Sequence, residues 1–284
     1  MKSISLRSPA KLNLFLKIIK KRTDGYHDLV TLFERIDLCD QICLRLNKSG
    51  KIRIFCQDAH VPKGPKNLAY KAARLLKEEF ALLDGVDITI RKNIPIAAGL
   101  AGGSSNAATA LLGLNKLWKL NLKREELIEY AKTLGSDIPF FLHDCSWAIG
   151  RKRGDEIQRL NLKQKVWHIL VVPALKVYSR EAFGAFKLQL TKGYDDVNIL
   201  THALRKKDSV CLGKLLSNDL ETVVFKQYPK LFQLKKTLGK LASNAVLSGS
   251  GSALFAVVGS KREAKQYAVL LKKRYQRVFI VRTL

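Results

Sequence analysis

Apolar and polar residues alternate from Ser8 to Ile18, which places Leu12, Leu14, Leu16 and Ile18 on one face of a strand and Lys11, Asn13 and Phe15 on the other. The same period predicts strands over Leu32–Leu38 and Gln41–Leu46, on either side of Asp40, and another over Ile52–Phe55. Val86, Ile88 and Ile90 alternate with Asp87, Thr89 and Arg91 in a further strand. Helical spacing begins at Asn67, a capping residue, and runs to Leu76. In a second helix Ala107, Leu111, Leu114 and Trp118 form one row and Ala108, Leu112 and Asn115 the next. That helix is apolar nearly all round and is expected to be buried. Leu127, Ile128, Ala131 and Leu134 line a third, closed by Gly135. Pro139 disfavours helical angles at Ile138, so an extended segment is expected from Ser136 to Leu142, with Asp137 held at its turn.

Further along, Val166–Val172 reads as a buried strand, and Ser179 as the cap of a short helix containing Phe183. Helices are expected over Val197–Leu204, Ser209–Leu216, Pro229–Leu241 and Arg262–Tyr275, with a last strand over Val278–Val281. Ala245–Val258 reads as a strand, a glycine bend and a second strand. Separate strands and helices in this order indicate an α+β protein whose C-terminal part is a ferredoxin-like sandwich. The hydrophilic run Gly150–Asp155 marks a domain boundary, giving domains 1–153 and 154–284.

The segment with the most chemistry lies between the strand ending near Arg91 and the second helix. Gly99, Gly102 and Gly103 let the backbone curl and approach a ligand closely. Ser104 and Ser105 stand where a helix start takes a hydroxyl cap, with free amides facing outward at the positive end of the dipole. That combination suits an anion, above all a phosphate. Neither Gly-Lys-Ser nor Gly-Lys-Thr follows the glycines, and Gly-x-Gly-x-x-Gly spacing is absent, so this is neither the usual P-loop nor a dinucleotide-binding turn.

Composition narrows the setting. The 284 residues are 47% hydrophobic and 26% charged, and no run reaches the roughly 18 apolar residues of a membrane span. Lys11, Asn13 and Lys17 interrupt the N-terminal apolar run, so no signal peptide is expected and the protein is placed in the cytoplasm. The five cysteines, without a Cys-x-x-Cys pair, fit reduced thiols, and the five histidines are scattered. A formal net charge of +27 draws polyphosphates and nucleic acids. RNA binding is therefore a competing reading, against which stands the lack of an RNA-recognition signature.

The pattern Pro-x-x-x-Gly-Leu-x-Gly-Gly-Ser-Ser-Asn-Ala-Ala, from Pro95 to Ala108, resembles the signature loop of the GHMP kinases. Leu-Gly-Ser-Asp-Ile-Pro-Phe-Phe-Leu around Asp137 and Ser-Gly-Ser-Gly-Ser around Gly249 and Gly251 are similar to two further blocks of that superfamily, in the same order. The turn Asp24-Gly25 followed by Tyr26-His27 resembles the members that act on a cytidine diphosphate-linked methylerythritol, whereas the Gly-Glu-His of galactokinase and mevalonate kinase is missing.

The resemblance implies a two-domain GHMP kinase fold, with an N-terminal ribosomal-protein-like α/β domain and a C-terminal ferredoxin-like one. It implies ATP and Mg²⁺ as cofactors, a small-molecule alcohol as substrate, no membrane or nucleic-acid partner, and a monomer or homodimer. By the same resemblance Lys11 and Asp137 are catalytic, Asp137 as the base. The nucleotide falls to Asn67, Lys92, Pro95, Ile96, Ala97, Ala98, Gly99, Leu100, Ala101, Gly102, Gly103, Ser104 and Ser105. The substrate falls to Asn13, Tyr26, His27, Phe183, Gly249 and Gly251, with Tyr178 a rival to Phe183 as second stacking ring. The metal's ligands are left open, Ser105 being one candidate. Ala97, Ala98 and Ala101 stand where the family often has glycine; alanine takes positive φ at a cost, so a stiffer loop is expected.

Overall fold

The long β-branched and leucine-rich runs near the N-terminus form two extended strands, β1 (Ser3–Lys21) and β2 (His27–Asn47). They belong to a computed structural model that describes residues 2–187 and 196–284. The described residues fall into two compact units that are discontinuous in sequence. The first comprises 1–10, 38–96 and 101–144; the second comprises 11–37, 97–100 and 145–284.

In the first unit β3 (Ile52–Cys56) runs parallel to β4 (Gly85–Arg91), which pairs antiparallel with the Gln41–Asn47 half of β2. Helix α1 (Leu68–Glu79) starts at Asn67, whose side chain accepts a 2.9 Å bond from the Ala69 amide, so the expected cap is present. Helix α2 (Gly102–Leu117) packs on α1 and is buried through Ser105–Leu111 and at Gly113 and Leu114, as its uniform apolarity requires. At Gly113 an added Cβ would stand 2.4 Å from Leu44 and 3.0 Å from Leu6, so glycine is what lets this helix lie so close to the strands. Helices α3 (Arg124–Leu134) and α4 (Ile138–Leu142) complete the unit.

Two expectations are corrected here. β2 is one continuous strand through Asp40, not two strands beside it, because the Asp40 carboxylate has buried partners and need not break the ladder. The segment after Ser136 is helical, not extended. Pro139 stands in the first turn of α4, where its missing N–H leaves no bond unmade, and Asp137 takes helical angles (φ −82°, ψ −14°) ahead of it.

In the second unit the Thr31–Glu34 half of β2 pairs with β5 (Trp147–Arg151), and β5 with β6 (Glu156–Leu160). The hydrophilic run 150–155 contains the turn of this hairpin, with Arg151 and Lys152 exposed and Asp155 buried, where it accepts a 3.0 Å bond from Arg153 Nε. β7 (Trp167–Val171) leads to α5 (Ser179–Ala185), α6 (Asp196–Arg205), α7 (Ser209–Leu215), the short β8 (Ser217–Asn218), α8 (Glu221–Gln227), α9 (Pro229–Leu241), β9 (Val246–Leu247), β10 (Leu254–Val258), α10 (Lys261–Lys272) and β11 (Val278–Arg282). Ser179 is the first residue of α5 and does not cap it; its hydroxyl meets that of Ser250 at 2.9 Å.

A four-stranded antiparallel sheet has the order β11-β7-β10-β9, the ferredoxin-like arrangement expected. Ile169, Val171, Leu254 and Ala256 from the sheet join Leu231, Leu234 and Leu238 of α9 and Ala264, Ala268 and Leu271 of α10 in one core. Each fully buried Leu, Ile or Val adds about 1.5–3 kcal/mol. β8 pairs parallel with β1 at Leu16 and Asn218, which anchors the α7–α8 connection to the first strand.

Candidate functional site

In the second unit, residue alternation along β1 turns Lys11 and Asn13 to the same side, and both are buried. The Lys11 ammonium donates to Asn13 Oδ1 and lies 5.7 Å from the centre of the Phe33 ring. Asn13 Nδ2 donates to Thr31 Oγ1 at 2.7 Å, and Thr31 donates onward to the Phe15 carbonyl at 2.6 Å. The asparagine is thereby oriented with its oxygen toward the lysine.

The glycine turn between β9 and β10 reaches the same place. An added Cβ on Gly249 would stand 3.2 Å from Lys11 Nζ and 3.3 Å from Asn13 Oδ1. Asn218 Nδ2 secures this turn through the carbonyls of Leu247 (2.8 Å) and Gly249 (2.7 Å). Ala97–Leu100 packs on it: Ser248 Oγ donates to the Gly99 carbonyl at 3.0 Å, the Ala253 amide to that of Ala98 at 3.2 Å, and the Lys11 amide to that of Leu100 at 3.2 Å. Gly99 has φ +74°, and a Cβ there would fall 1.8 Å from the Ser248 carbonyl oxygen, so glycine alone fits. Lys11, Asn13, Ala97–Leu100, Gly249 and Gly251 are thus brought together.

On the same unit, His27 is buried with its ring 5.7 Å from that of Phe183, whereas Tyr26 is exposed with the Arg153 guanidinium 5.2 Å from its ring centre. Burial, helped by Lys21, pushes the His27 imidazole below its usual range. Tyr178 is exposed at the start of α5.

In the first unit α2 begins after Ala101, which is left-handed (φ 52°) and gives no side-chain cap. The two serines are therefore inside the first turn, a correction to their expected capping role. The Ser105 amide already bonds the Ala101 carbonyl at 2.9 Å, which leaves Gly102, Gly103 and Ser104 as the amides without intrahelical acceptors. Ala97 is left-handed too (φ 53°), so two of the three alanines adopt the conformation a glycine takes freely. Pro95 and Ile96 are half-buried ahead of them.

Beneath this start lies a buried polar network that sequence patterns did not disclose. Asp40 Oδ1 accepts from the amides of Asn93 and Ile94, both at 2.8 Å; its Oδ2 accepts from Lys92 Nζ (2.6 Å) and Asn106 Nδ2 (2.9 Å). Lys92 also donates to the Ile94 carbonyl at 2.8 Å. Asn106 donates to Ser8 Oγ at 2.9 Å, and Ser8 to Ser105 Oγ at 2.8 Å. Lys92, expected beside the nucleotide, has its ammonium in this network. Asp137 is half-buried in the same unit, and its carboxylate makes no capping bond to α4. Asn67 remains in its cap, with Nδ2 also on the Pro62 carbonyl.

A metal finds no ready protein cage: among the described residues no three His, Cys, Asp or Glu side chains gather. Ser105, a candidate ligand, is fully buried with its hydroxyl on Ser8, and does not fit that part as it stands.

Residues 67–144 match the family described as GHMP kinases N terminal domain, and residues 200–276 match GHMP kinases C terminal. The chain is 39% identical over 283 residues to the 4-diphosphocytidyl-2-C-methyl-D-erythritol kinase of Exiguobacterium sibiricum, covering 99% of this chain and 98% of that one. It is 38% identical over 283 residues to that of Geobacillus kaustophilus, covering 99% and 97%. A solved 4-(cytidine 5'-diphospho)-2C-methyl-D-erythritol kinase matches with a TM-score of 0.84 at 31% identity, over 99% of this chain and 100% of that one. Homoserine kinase from Cytophaga hutchinsonii, at 19% identity and a TM-score of 0.78 over 99% and 94%, shares the fold.

Proposed function

Because the chain belongs to the GHMP kinases, and among them to the 4-diphosphocytidyl-2-C-methyl-D-erythritol kinases, we propose that it transfers the γ-phosphoryl group of ATP to the 2-hydroxyl of 4-diphosphocytidyl-2-C-methyl-D-erythritol. The 2-phosphate so formed belongs to non-mevalonate isoprenoid precursor synthesis. One observation within the molecule carries the reading: the buried Lys11 ammonium, oriented on Asn13, stands beside Gly249, while the main-chain amide of Lys11 bonds the Leu100 carbonyl of the glycine loop.

Phosphoryl transfer asks a protein for positioning and charge stabilisation more than covalent help. The unpaired amides of Gly102, Gly103 and Ser104, at the positive end of a 16-residue helix, bind the nucleotide's phosphates. Asp137 takes the proton from the attacking hydroxyl. Lys11 orients that hydroxyl and offsets the charge developing on it, while Asn13 holds the substrate. Tyr26, His27 and Phe183 accept the cytosine ring by stacking and edge contact. Mg²⁺, entering with ATP as part of the substrate, would neutralise part of the phosphate charge.

A panel of phosphate acceptors with ATP tests the assignment: the cytidylyl methylerythritol, free methylerythritol, homoserine and mevalonate, each followed by phosphorus NMR of the product. Turnover confined to the first, with the new phosphate on the 2-oxygen, is expected. Preference for another alcohol, or ATP turnover with none, overturns it.

A further inference from the structure

We infer that Asp40 is a positioning residue for nucleotide binding, a buried clamp that ties together the two ends of the glycine loop. The inference rests on the kinase reading above and deepens it. On the near side of the loop the carboxylate holds the amides of Asn93 and Ile94 and the ammonium of Lys92. On the far side it holds Asn106, one residue past Ser105 in the first turns of α2. Asn106 carries the connection on to Ser8, and Ser8 to Ser105.

The Asp40 side chain is fully buried and that of Lys92 is 10% exposed, so this is an ion pair withdrawn from water. Such a pair holds its geometry only when every remaining valence is met, and here both carboxylate oxygens have two donors each. Lys92 Nζ also lies 3.0 Å from the position a Cβ on Gly102 would take, so the ammonium fills the space beneath the first residue of α2. The clamp fixes where the free amides of that helix start. A flexible loop with loose ends would lose more conformational entropy on gripping a triphosphate. The prepared loop loses less, and the difference appears in ATP affinity.

Asp40→Asn removes the charge and turns an NH₂ toward two donors, Lys92 and Asn106. Asn106→Leu leaves the ion pair intact and cuts the far tie together with the bond to Ser8. Both variants are measured with the wild type for affinity toward a non-hydrolysable ATP analogue by calorimetry, for KM of both substrates, and for amide hydrogen exchange over residues 93–106 without nucleotide. Expected is a loss of nucleotide affinity of roughly 10- to 100-fold for Asp40→Asn, the scale of lost charged hydrogen bonds, with a smaller loss for Asn106→Leu. The KM for the alcohol stays within about twofold, and exchange over 93–106 quickens in both. Unchanged nucleotide affinity, or equal weakening toward both substrates, overturns the clamp. Where Asp40→Asn does not fold, Asn106→Leu decides by the same criteria. A wild type that binds no nucleotide would overturn the kinase reading, and the exchange data would then judge the clamp alone.

Discussion

Asn13 gives a hydrogen bond of 2.7 Å from its amide nitrogen to the hydroxyl of Thr31, a residue on the second strand. The bond leaves Asn13 Oδ1 to Lys11, so a threonine outside every recognised motif decides which end of the asparagine meets the ammonium. Thr31→Val keeps the shape and removes the acceptor. It is expected to raise KM for the alcohol roughly fivefold, the worth of about 1 kcal/mol, with KM for ATP unchanged. Steady-state kinetics in both substrates checks this.

Asp137→Asn keeps the size of the side chain and abolishes its basicity. kcat is expected to fall by roughly 10² to 10⁴ while ATP affinity stays near that of the wild type. Single-turnover rates alongside calorimetric ATP binding measure both halves, and near-native turnover would remove Asp137 from the role of base.

Tyr26 is exposed, with a guanidinium against its ring. Replacing it with alanine is expected to raise KM for the cytidylyl substrate roughly tenfold and KM for ATP far less, since a stacked ring contributes about 1 kcal/mol or more. Comparable increases for both substrates would argue against a cytosine platform.

Gly99→Ala meets two obstacles: a left-handed backbone and a carbonyl oxygen 1.8 Å from the new methyl. Their sum is expected to destabilise the folded protein by at least about 2 kcal/mol, and to lower turnover because the loop must shift. Urea denaturation of the variant gives the first number directly.

The pH dependence of stability has a contribution with a definite sign at Asp87. Arg53 donates to both of its oxygens (2.7 and 2.9 Å) and Asn47 to one (2.8 Å), and the guanidinium above all holds the carboxyl below its usual range. The unfolded chain then takes up its proton first as pH falls. The stabilisation is complete above the unfolded value near 4 and is lost as pH drops through the folded value. Urea midpoints from pH 7 down to pH 2.5 should fall more steeply in the wild type than in Asp87→Asn, and parallel curves would count against it.

Several readings succeeded because they rest on local rules. Asn67 caps its helix, Gly135 ends another, Pro229–Leu241 is helical over its expected span, and the strand, glycine bend and strand after Ala245 are present. Others failed where two local rules competed. Pro139 was compatible with a break or with a first helical turn, and packing of Ile138, Phe140 and Phe141 in the core favours the turn. Asp40 looked like an interruption between strands, since nothing near it in sequence announces the donors 52 to 66 residues away.

The chain by itself determined its catalogue of strands and helices, the glycine loop ahead of a buried helix, and the kinase family to which these point, since each depends on spacing over a few residues. Only the tertiary structure decided that Asp40 serves both ends of that loop, that Thr31 and Asn218 orient groups around Lys11 and Gly249, and that His27 is buried while Tyr26 faces solvent. Periodicity says which face a residue occupies; which distant residue waits on that face depends on how the strands pair and the helices pack.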